Sequence, residues 1–337
     1  MNKKNVFIVG FGLVIVALLA GGYFRLGQKQ PGKYAGPVEK IAIGNLGEYS
    51  ILNLIAKDRG YFVANGLDAE IQEYQAGPPM IADLLAGRLN FAVAGEFPGV
   101  NYIFQKDNLR ILTETSKQKV VQVVARKDKG INNPGDLKGK KIGVTRKSAG
   151  EFFLGRFLTF NNLAFSDVSI IDLSPAEMTK RIADGQIDAV ASYEPNPYKI
   201  AKRLGDNAVV WSAQGNQDTF ALLYSTDEFI KSHPQIVERY LRSLMEAEQY
   251  VKDYDREARN IVARILHYDE PYIEYIWPKV APHLALEQEL VLTMENEAHW
   301  AIQNKLTDKT AIPNYLDYIY FDALEKARPE MITIIHK

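Results

Sequence analysis

The residues best suited to chemistry are two glutamates, Glu96 and Glu194, which hold equivalent places in a duplicated stretch. Residues 84–98 read L-L-A-G-R-L-N-F-A-V-A-G-E-F-P, and residues 181–195 read R-I-A-D-G-Q-I-D-A-V-A-S-Y-E-P. In each copy a helix is predicted to end at a glycine, and a short apolar strand then leads to the glutamate. Two carboxylates at equivalent strand ends could bind an amino or amidine group of a ligand. Alternatively, each caps its own loop or the helix that follows.

The similarity of the two copies extends beyond the glutamates. The aligned pairs are Gly87 with Gly185, Leu89 with Ile187, and Asn90 with Asp188. Such self-similarity indicates two α/β lobes of the same construction, each directing one loop towards the same place. A ligand-binding protein with two lobes is built in this way.

A second candidate site is the start of the helix predicted after the strand at residues 141–145. Ser148 and Ala149 begin a run of small residues there. The helix terminus presents free backbone N–H groups and the positive end of the helix dipole. A sulfonate, nitrate or carboxylate group would fit at such a terminus. Arg146 and Lys147 could add positive charge. The alternative is that Ser148 only caps the helix and that the two basic side chains are solvated.

Two further helix openings resemble this one and favour a shared anion site. They lie at Ser50 and at Gly77-Pro78, both after predicted strands. Four aromatic residues stand beside these loops and could form an apolar wall of the pocket. They are Tyr49, Phe97, Phe153 and Tyr193, and we expect at least two of them to line the cleft.

Composition and motifs exclude several other classes of protein. The formal net charge of -1 and the lack of a basic stripe give no reason to expect nucleic acid as a partner. The chain has no cysteine, which excludes disulfides and thiolate metal sites. Its five histidines all lie after residue 232, away from the predicted strand ends. The sequence therefore predicts no catalytic group, no metal site and no cofactor, although the two glutamates could in principle act as an acid and a base.

The amino terminus indicates export from the cytoplasm. Residues 5–24 carry no charge and are long enough, at about 1.5 Å per residue, to cross a bilayer. Residues 1–24 are either an uncleaved membrane anchor or a secretory signal, and the length of the apolar run favours the anchor. Residues 25–37 form a tether rich in glycine, proline and lysine. We therefore place the protein on the periplasmic or extracellular face of the cytoplasmic membrane, anchored or secreted.

The remaining chain alternates between strand and helix patterns, which predicts mostly parallel sheets with helical crossovers. Predicted strands are residues 38–43, 68–74, 91–94, 109–113, 120–125, 141–145, 168–173, 188–192 and 220–225. The predicted lobes are residues 38–125 with 223–337, and residues 126–222. From residue 226 onwards a helical tail is predicted to pack back on the first lobe.

Five motifs in order resemble one known family. They are G-Y-F-x-x-N-G-L at 60–67, L-x-x-G-x-L-x-F-A-V-A-G-E at 84–96, D-L-K-G-K-K-I-G-V-T at 136–145, L-S-P-A-E-M at 173–178 and G-Q-I-D-A-V-x-x-x-E-P at 185–195. On these motifs the chain resembles the periplasmic-type solute-binding proteins of the nitrate/sulfonate/taurine and thiamine-pyrimidine group, which serve ABC importers.

The resemblance implies a type II periplasmic-binding fold, with mixed sheets flanked by helices and a ligand held between two lobes. It implies a small organic anion as ligand, a permease and an ATPase subunit as partners, and no catalysis. The loops at Gly77-Pro78, Glu96, Ser148 and Glu194 would line the cleft. A thiamine-precursor aminopyrimidine as ligand, or a lyase or dehydratase on the same scaffold, remains an alternative.

Overall fold

A computed structural model of the protein describes residues 34–105 and 108–336. The predicted export segment, and residues 25–33 of the predicted tether, lie outside the described residues. Within the described ranges, no helix combines the length and the apolar character that a bilayer crossing needs.

Residues 38–105 and 108–336 form two mixed sheets flanked by helices, which is the predicted fold class. The strands are β1 (Glu39–Asn45), β2 (Leu67–Glu73), β3 (Phe91–Gly95), β4 (Leu109–Gln118), β5 (Val121–Arg126), β6 (Lys141–Val144), β7 (Ser169–Asp172), β8 (Ala189–Tyr193), β9 (Ala208–Ser212), β10 (Thr219–Thr226) and β11 (Val280–Ala285). The α-helices are α1 (Ile51–Asp58), α2 (Tyr61–Ala64), α3 (Gly77–Leu85), α4 (Glu96–Ile103), α5 (Ala149–Phe160), α6 (Pro175–Ala183), α7 (Asn196–Leu204), α8 (Asp227–Ser232), α9 (Pro234–Asp253), α10 (Asp255–Leu266), α11 (Glu270–Ile276), α12 (Gln288–Gln303) and α13 (Asp322–Ala327).

The two sheets have the same strand arrangement. The first runs β2-β1-β3-β10-β4 with β11 added at its edge, and the second runs β7-β6-β8-β5-β9. In each sheet three parallel strands are followed by one antiparallel strand, β10 or β5. The carboxyl ends of β1 and β3, and those of β6 and β8, therefore form the ligand-binding edge expected of open α/β sheets.

The sequence repeat is a repeat of structure. Asn90 Oδ1 accepts from the Ala42 backbone N–H at 2.8 Å, and Asp188 Oδ2 accepts from the Lys141 N–H at 2.8 Å. Both aligned side chains thus close the turn after a helix onto the first of the three parallel strands of their sheet, β1 or β6. Gly87 supplies the positive φ of +73° that ends the helix in the first copy, and its counterpart has a φ of +70°.

The aligned apolar residues Leu89 and Ile187 also pack in the same way. A Cβ atom on Gly44 in β1 would lie 2.8 Å from Leu89 Cδ1, and one on Gly143 in β6 would lie 2.8 Å from Ile187 Cδ1. The glycines leave the space that the two side chains fill. Each buried side chain contributes about 1.5–3 kcal/mol to stability.

Strand pairing shows how the chain passes between the two sheets. The strand at residues 120–125, predicted as the crossover from the first lobe into the second, is β5, and it pairs with β8 and β9 in the second sheet. β10 returns the chain to the first sheet between β3 and β4. The chain thus passes from the first sheet to the second at β5, and it returns to the first sheet at β10. The lobe boundaries themselves stay a prediction.

The sequence predicted a helical carboxyl-terminal segment, but the structure places a strand, β11, within it. β11 pairs antiparallel with β4 and adds a sixth strand to the first sheet. Its sequence, V-A-P-H-L-A, is short and contains a proline, which is compatible with an edge strand and gives little strand signal by itself. α9 and α10 pack on α1, which is a helix between β1 and β2 of the first sheet.

Candidate functional site

Two adjoining cavities lie where the carboxyl ends of the strands of both sheets meet. The larger has a volume of about 480 Å³, and the smaller has a volume of about 10 Å³. Leu46 and Tyr193 line both cavities, so the two are neighbours separated by these side chains. The larger volume suits a small organic molecule. The smaller is too tight for a ligand, and its walls must separate to admit one.

The amino terminus of α5 faces the smaller cavity through Ser148 and Ala149. The Ser148 side chain does not cap the helix, because its hydroxyl donates to the Thr145 carbonyl at 2.7 Å. The first N–H groups of α5 therefore lack a side-chain acceptor at the cap, although the Glu151 N–H donates to the Ser148 carbonyl at 3.0 Å. The N–H groups of Ala149 and Gly150 before it could bind an anion. This arrangement differs from the capping alternative considered above.

The charge near this helix terminus is already partly balanced. Glu151, in the first turn of α5, accepts from the Lys147 backbone N–H at 2.6 Å. Its Oε1 lies 2.6 Å from Arg146 Nη1, at ion-pair distance but without hydrogen-bond alignment. The Arg146 charge is thus matched by a buried carboxylate. Attraction of an anion would then depend mainly on the backbone N–H groups.

Glu194 lines the larger cavity and is held by three donors. Its Oε1 accepts from the Tyr275 hydroxyl at 2.8 Å and from Gln122 Nε2 at 2.9 Å, and its Oε2 accepts from the Tyr198 backbone N–H at 3.0 Å. Burial raises the pKa of Glu194 to about 7, because the loss of hydration outweighs these hydrogen bonds. The carboxyl group can therefore be neutral or charged near neutral pH.

A second buried carboxylate, Glu48, also lines the larger cavity. The Tyr268 hydroxyl donates to its Oε2 at 2.8 Å and the Tyr272 hydroxyl to its Oε1 at 3.2 Å. Burial raises the pKa of Glu48 above its ordinary value. Lys199 supplies a positive charge to the lining. The larger cavity thus combines acidic and basic groups with tyrosine rings, and it can orient a polar ligand.

Tyr193 joins the two sides of the site. Its hydroxyl donates to the Gln75 carbonyl at 2.8 Å, and its ring packs edge-on against Tyr49 with 6.1 Å between centroids. Tyr193 ends β8 of the second sheet, whereas Gln75 follows β2 of the first. The contact therefore closes the cleft from one sheet to the other.

The structure brings together six of the eleven predicted site residues. Those that line a cavity are Tyr49, Gly77, Ser148, Ala149, Tyr193 and Glu194. Those that line neither of these cavities are Ser50, Pro78, Glu96, Phe97 and Phe153. The predicted ligand role stays a prediction for both groups.

The second group has other contacts that explain its position. Glu96 accepts from the Thr219 hydroxyl at 2.8 Å and from the Phe220 N–H at 3.0 Å, so it binds β10 inside the core. Phe97 stacks on Phe152 in the core with 5.5 Å between ring centroids. Phe153, at 0% exposure, also packs there.

The remaining two make local hydrogen bonds instead. Ser50 Oγ accepts from the Leu46 N–H at 3.0 Å, and the Pro78 carbonyl accepts from the Tyr102 hydroxyl at 3.0 Å. The sequence did not single out Glu48 or Tyr268 as site residues. Glu48 lies two residues before Ser50, where the sequence predicted a helix opening that faces the ligand, and this was the available signal. Tyr268 comes from the carboxyl-terminal segment, and no local pattern marks it.

Comparison with known proteins agrees with this geometry. The pattern of the family described as NMT1/THI5 like matches residues 48–258, more than half of the chain. A putative aliphatic sulfonates-binding protein of Bacillus subtilis (strain 168) is 27% identical over 280 residues, covering 81% of this chain and 83% of the relative. The solved alkanesulfonate-binding protein SsuA from Xanthomonas axonopodis pv. citri, bound to MOPS, superposes with a TM-score of 0.74 at 19% identity, covering 85% of this chain and 99% of SsuA.

The same fold also carries an enzyme. The desulfurization enzyme DSZB superposes with a TM-score of 0.58 at 15% identity, covering 86% of this chain and 100% of the enzyme. Fold alone therefore does not separate binding from catalysis. The duplicated strand ends, the cleft between two sheets of like order and the match over residues 48–258 agree with one another, and the chain belongs to the NMT1/THI5-like family.

Proposed function

We propose that this protein is the extracytoplasmic substrate-binding component of an ABC importer and that it captures a small organic anion of the sulfonate or taurine type, or a nitrate-like solute. The observation that carries the proposal is the uncapped amino terminus of α5, which faces a cavity enclosed by strand ends of both sheets. The names of the sulfonate-binding relative and of the sulfonate-binding structural neighbour support this ligand class.

The two adjoining cavities suggest how such a ligand would lie. Its anionic group would bind at Ser148 and Ala149, and its organic part would extend past Tyr193 into the larger cavity. An amino group, as in taurine, would meet Glu194 or Glu48 there. A permease and an ATPase subunit would be the partners, and the protein would act outside the cytoplasm, anchored or secreted.

Removing one N–H group of α5 tests this proposal. Ala149 is the first residue of α5, and Ser148 before it is extended with a φ of −102° and a ψ of 166°, so both positions tolerate an Ala149→Pro substitution. We expect Ala149→Pro to weaken anion binding by about tenfold to a hundredfold, since a hydrogen bond to a charged group is worth about 1.5–3 kcal/mol. Isothermal titration calorimetry with taurine, hexanesulfonate and nitrate measures the loss.

Ala149→Gly is the control at the same position, because it also changes the side chain there but keeps the backbone N–H. It should bind within a few-fold of the natural protein. Equal loss in both variants, or no binding of any anion in the panel, would refute the proposal. The recovered ligand should also be chemically unchanged by NMR after incubation, because product formation would indicate an enzyme.

A second ligand class is favoured by one observation. The larger cavity holds two buried carboxyl groups, Glu48 and Glu194, beside tyrosine rings, an arrangement that suits a flat ring bearing amino groups. A thiamine-precursor aminopyrimidine has this chemistry. Adding an aminopyrimidine to the calorimetric panel separates the two ligand classes. Binding of the aminopyrimidine alone, with no binding of the anions, would identify it as the ligand in place of an anion.

A further inference from the structure

A cluster of three possible metal ligands lies on β4 and β11 and includes none of the residues that line the cleft cavities. Glu114 belongs to β4, His283 belongs to β11, and Glu287 immediately precedes α12. One ligand atom from each lies within 4.8 Å of the other two. A register shift between Pro282 and Ala285 in the β4–β11 pairing brings the histidine over the buried glutamate.

The tautomer of His283 is fixed by a contact outside the cluster. Its Nδ1 lies 2.9 Å from the Ala281 carbonyl oxygen. A carbonyl oxygen only accepts hydrogen bonds, so Nδ1 carries the proton and the lone pair of the neutral ring is on Nε2. Nε2 lies 3.3 Å from Glu114 Oε2, which is also an acceptor. Two acceptors at this distance repel each other unless a proton or a metal ion lies between them.

The distances suit a metal ion better than a single proton. Nε2 is 3.3 Å from Glu114 Oε2 and 3.9 Å from Glu287 Oε1. An N–H group on Nε2 would reach the first oxygen but not the second. Ligand atoms about 2.0–2.2 Å from a tetrahedral zinc ion lie roughly 3.3–3.6 Å apart. The His283–Glu114 separation lies in this range, and the Glu287 side chain would move closer to complete a three-ligand shell.

Each ligand is also oriented by a partner of its own, as metal ligands in proteins usually are. Ala281 holds the imidazole, the Glu287 backbone N–H donates to Glu114 Oε1 at 2.7 Å, and Lys117 Nζ lies 2.6 Å from Glu287 Oε2. The second oxygen of each carboxylate is thus occupied, and one oxygen of each remains directed at the imidazole.

Charge and access agree with cation binding. The Glu114 side chain is fully buried, and a buried carboxylate needs a nearby positive charge. The Lys117 ammonium contacts Glu287 and Glu289, 2.6 and 2.8 Å away. His283 and Glu287 remain 19% and 34% exposed, so solvent can reach the cluster from one side.

We propose that Glu114, His283 and Glu287 form a binding site for one divalent transition-metal ion of the zinc type. One imidazole nitrogen and two carboxylate oxygens are ligands that such ions accept, whereas magnesium and calcium prefer oxygen alone. The bound ion would tie β11 and the start of α12 to β4. It would stabilise the first sheet and take no part in the cleft.

Titration of the full chain, without a histidine tag, with zinc chloride tests the site. We expect one zinc ion per chain by calorimetry and a rise in Tm with zinc concentration, because a ligand of the folded state stabilises it. His283→Gln and Glu287→Gln should each lower the zinc affinity at least tenfold. They should also abolish most of the rise in Tm.

Two control variants separate this site from general surface binding. His299→Gln alters an exposed histidine elsewhere, and Glu289→Gln alters a carboxylate that contacts Lys117 but lies outside the cluster. Both should bind zinc like the natural protein. No saturable zinc binding, or equal binding in Glu287→Gln and the controls, would overturn the proposal. Glu287 lies at the exposed edge, so its variant remains informative if His283→Gln folds poorly.

Discussion

At the scale of single residues, the two repeat-related glutamates have separate environments although their sequence contexts match. Glu194 lines the larger cavity, whereas Glu96 is fully buried and faces a second acid, Glu297, from α12. Burial raises the pKa of Glu96 to about 7 and raises that of Glu297 well above its ordinary value. The pair titrates as a unit, and the position of Glu96 favours a role in stability.

This pair makes stability depend on pH in a defined direction. Between the ordinary glutamate pKa of 4.5 and about 7, the folded state keeps protons that the unfolded state releases. The free energy of unfolding therefore falls as pH rises through this window. We expect Glu297→Gln to remove much of this slope and to be more stable than the natural protein at pH 8, by on the order of 1–3 kcal/mol. Urea unfolding at pH 5, 7 and 8 measures it.

Glu295→Gln is the control for that measurement, since it removes a less buried carboxylate from the same helix. It should keep the slope of the natural protein. A Glu297→Gln protein that loses stability with pH as steeply as the natural one would show that the buried pair does not control the effect.

At the scale of elements, the sequence predicted the parts that local pattern determines. The helix-ending glycines, the short apolar strands and the residues that close each turn, Asn90 and Asp188, occur as a matching pair, and the structure repeats them. The alternation of strands with helices predicted the fold class for the same reason. A repeat strengthens a prediction, because the same local pattern occurs twice and indicates the same local structure each time.

Contacts between distant segments could not be predicted in this way. Glu48 and Tyr268 are 220 residues apart, and Glu114 and His283 are 169 apart. Each pair depends on how the carboxyl-terminal segment returns to the first sheet, and β11 itself has a weak pattern. The aromatic residues illustrate the same limit, since Tyr49 and Phe97 both follow strand ends but only the first lines a cavity.

Packing of α5 against α12 gives a prediction at this scale. Gly155 in α5 lies under the Trp300 ring, and a Cβ atom there would be 2.6 Å from Cε2 of the indole. Alanine would normally favour a helix over glycine by about 1 kcal/mol. Here we expect Gly155→Ala to destabilise the protein by about 1–3 kcal/mol, because the overlap forces the indole to move. Urea unfolding measures the change.

Gly135→Ala is the matched control, because a Cβ atom at Gly135 would meet no atom within 4 Å. It should be neutral within about 0.5 kcal/mol. If Gly155→Ala were as stable as this control, the prediction would be wrong, because α5 and α12 would accommodate the added methyl group at no cost in stability.

At the scale of the whole molecule, the two sheets are connected differently on two sides. On one side, Trp300 packs against Phe97 and Phe152 with ring centroids 5.7 and 5.5 Å apart, so α12, α4 and α5 form one aromatic cluster. On the cleft side, the Tyr193–Gln75 hydrogen bond and the edge-on contact of the Tyr193 and Tyr49 rings span the two sheets. We expect the cleft side to open for ligand, since one hydrogen bond and one ring pair separate more easily than a cluster of three rings.

Tyr193→Phe tests this view of opening. The variant keeps the ring that packs on Tyr49 and loses only the hydroxyl that donates to Gln75. The closed form should lose about 0.5–1.5 kcal/mol, which weakens ligand affinity roughly twofold to tenfold through faster dissociation. Stopped-flow fluorescence measures the dissociation rate.

Tyr254→Phe, at a tyrosine that is 50% exposed, is the control. Equal dissociation rates in both variants would mean that the Tyr193 hydroxyl does not hold the cleft closed.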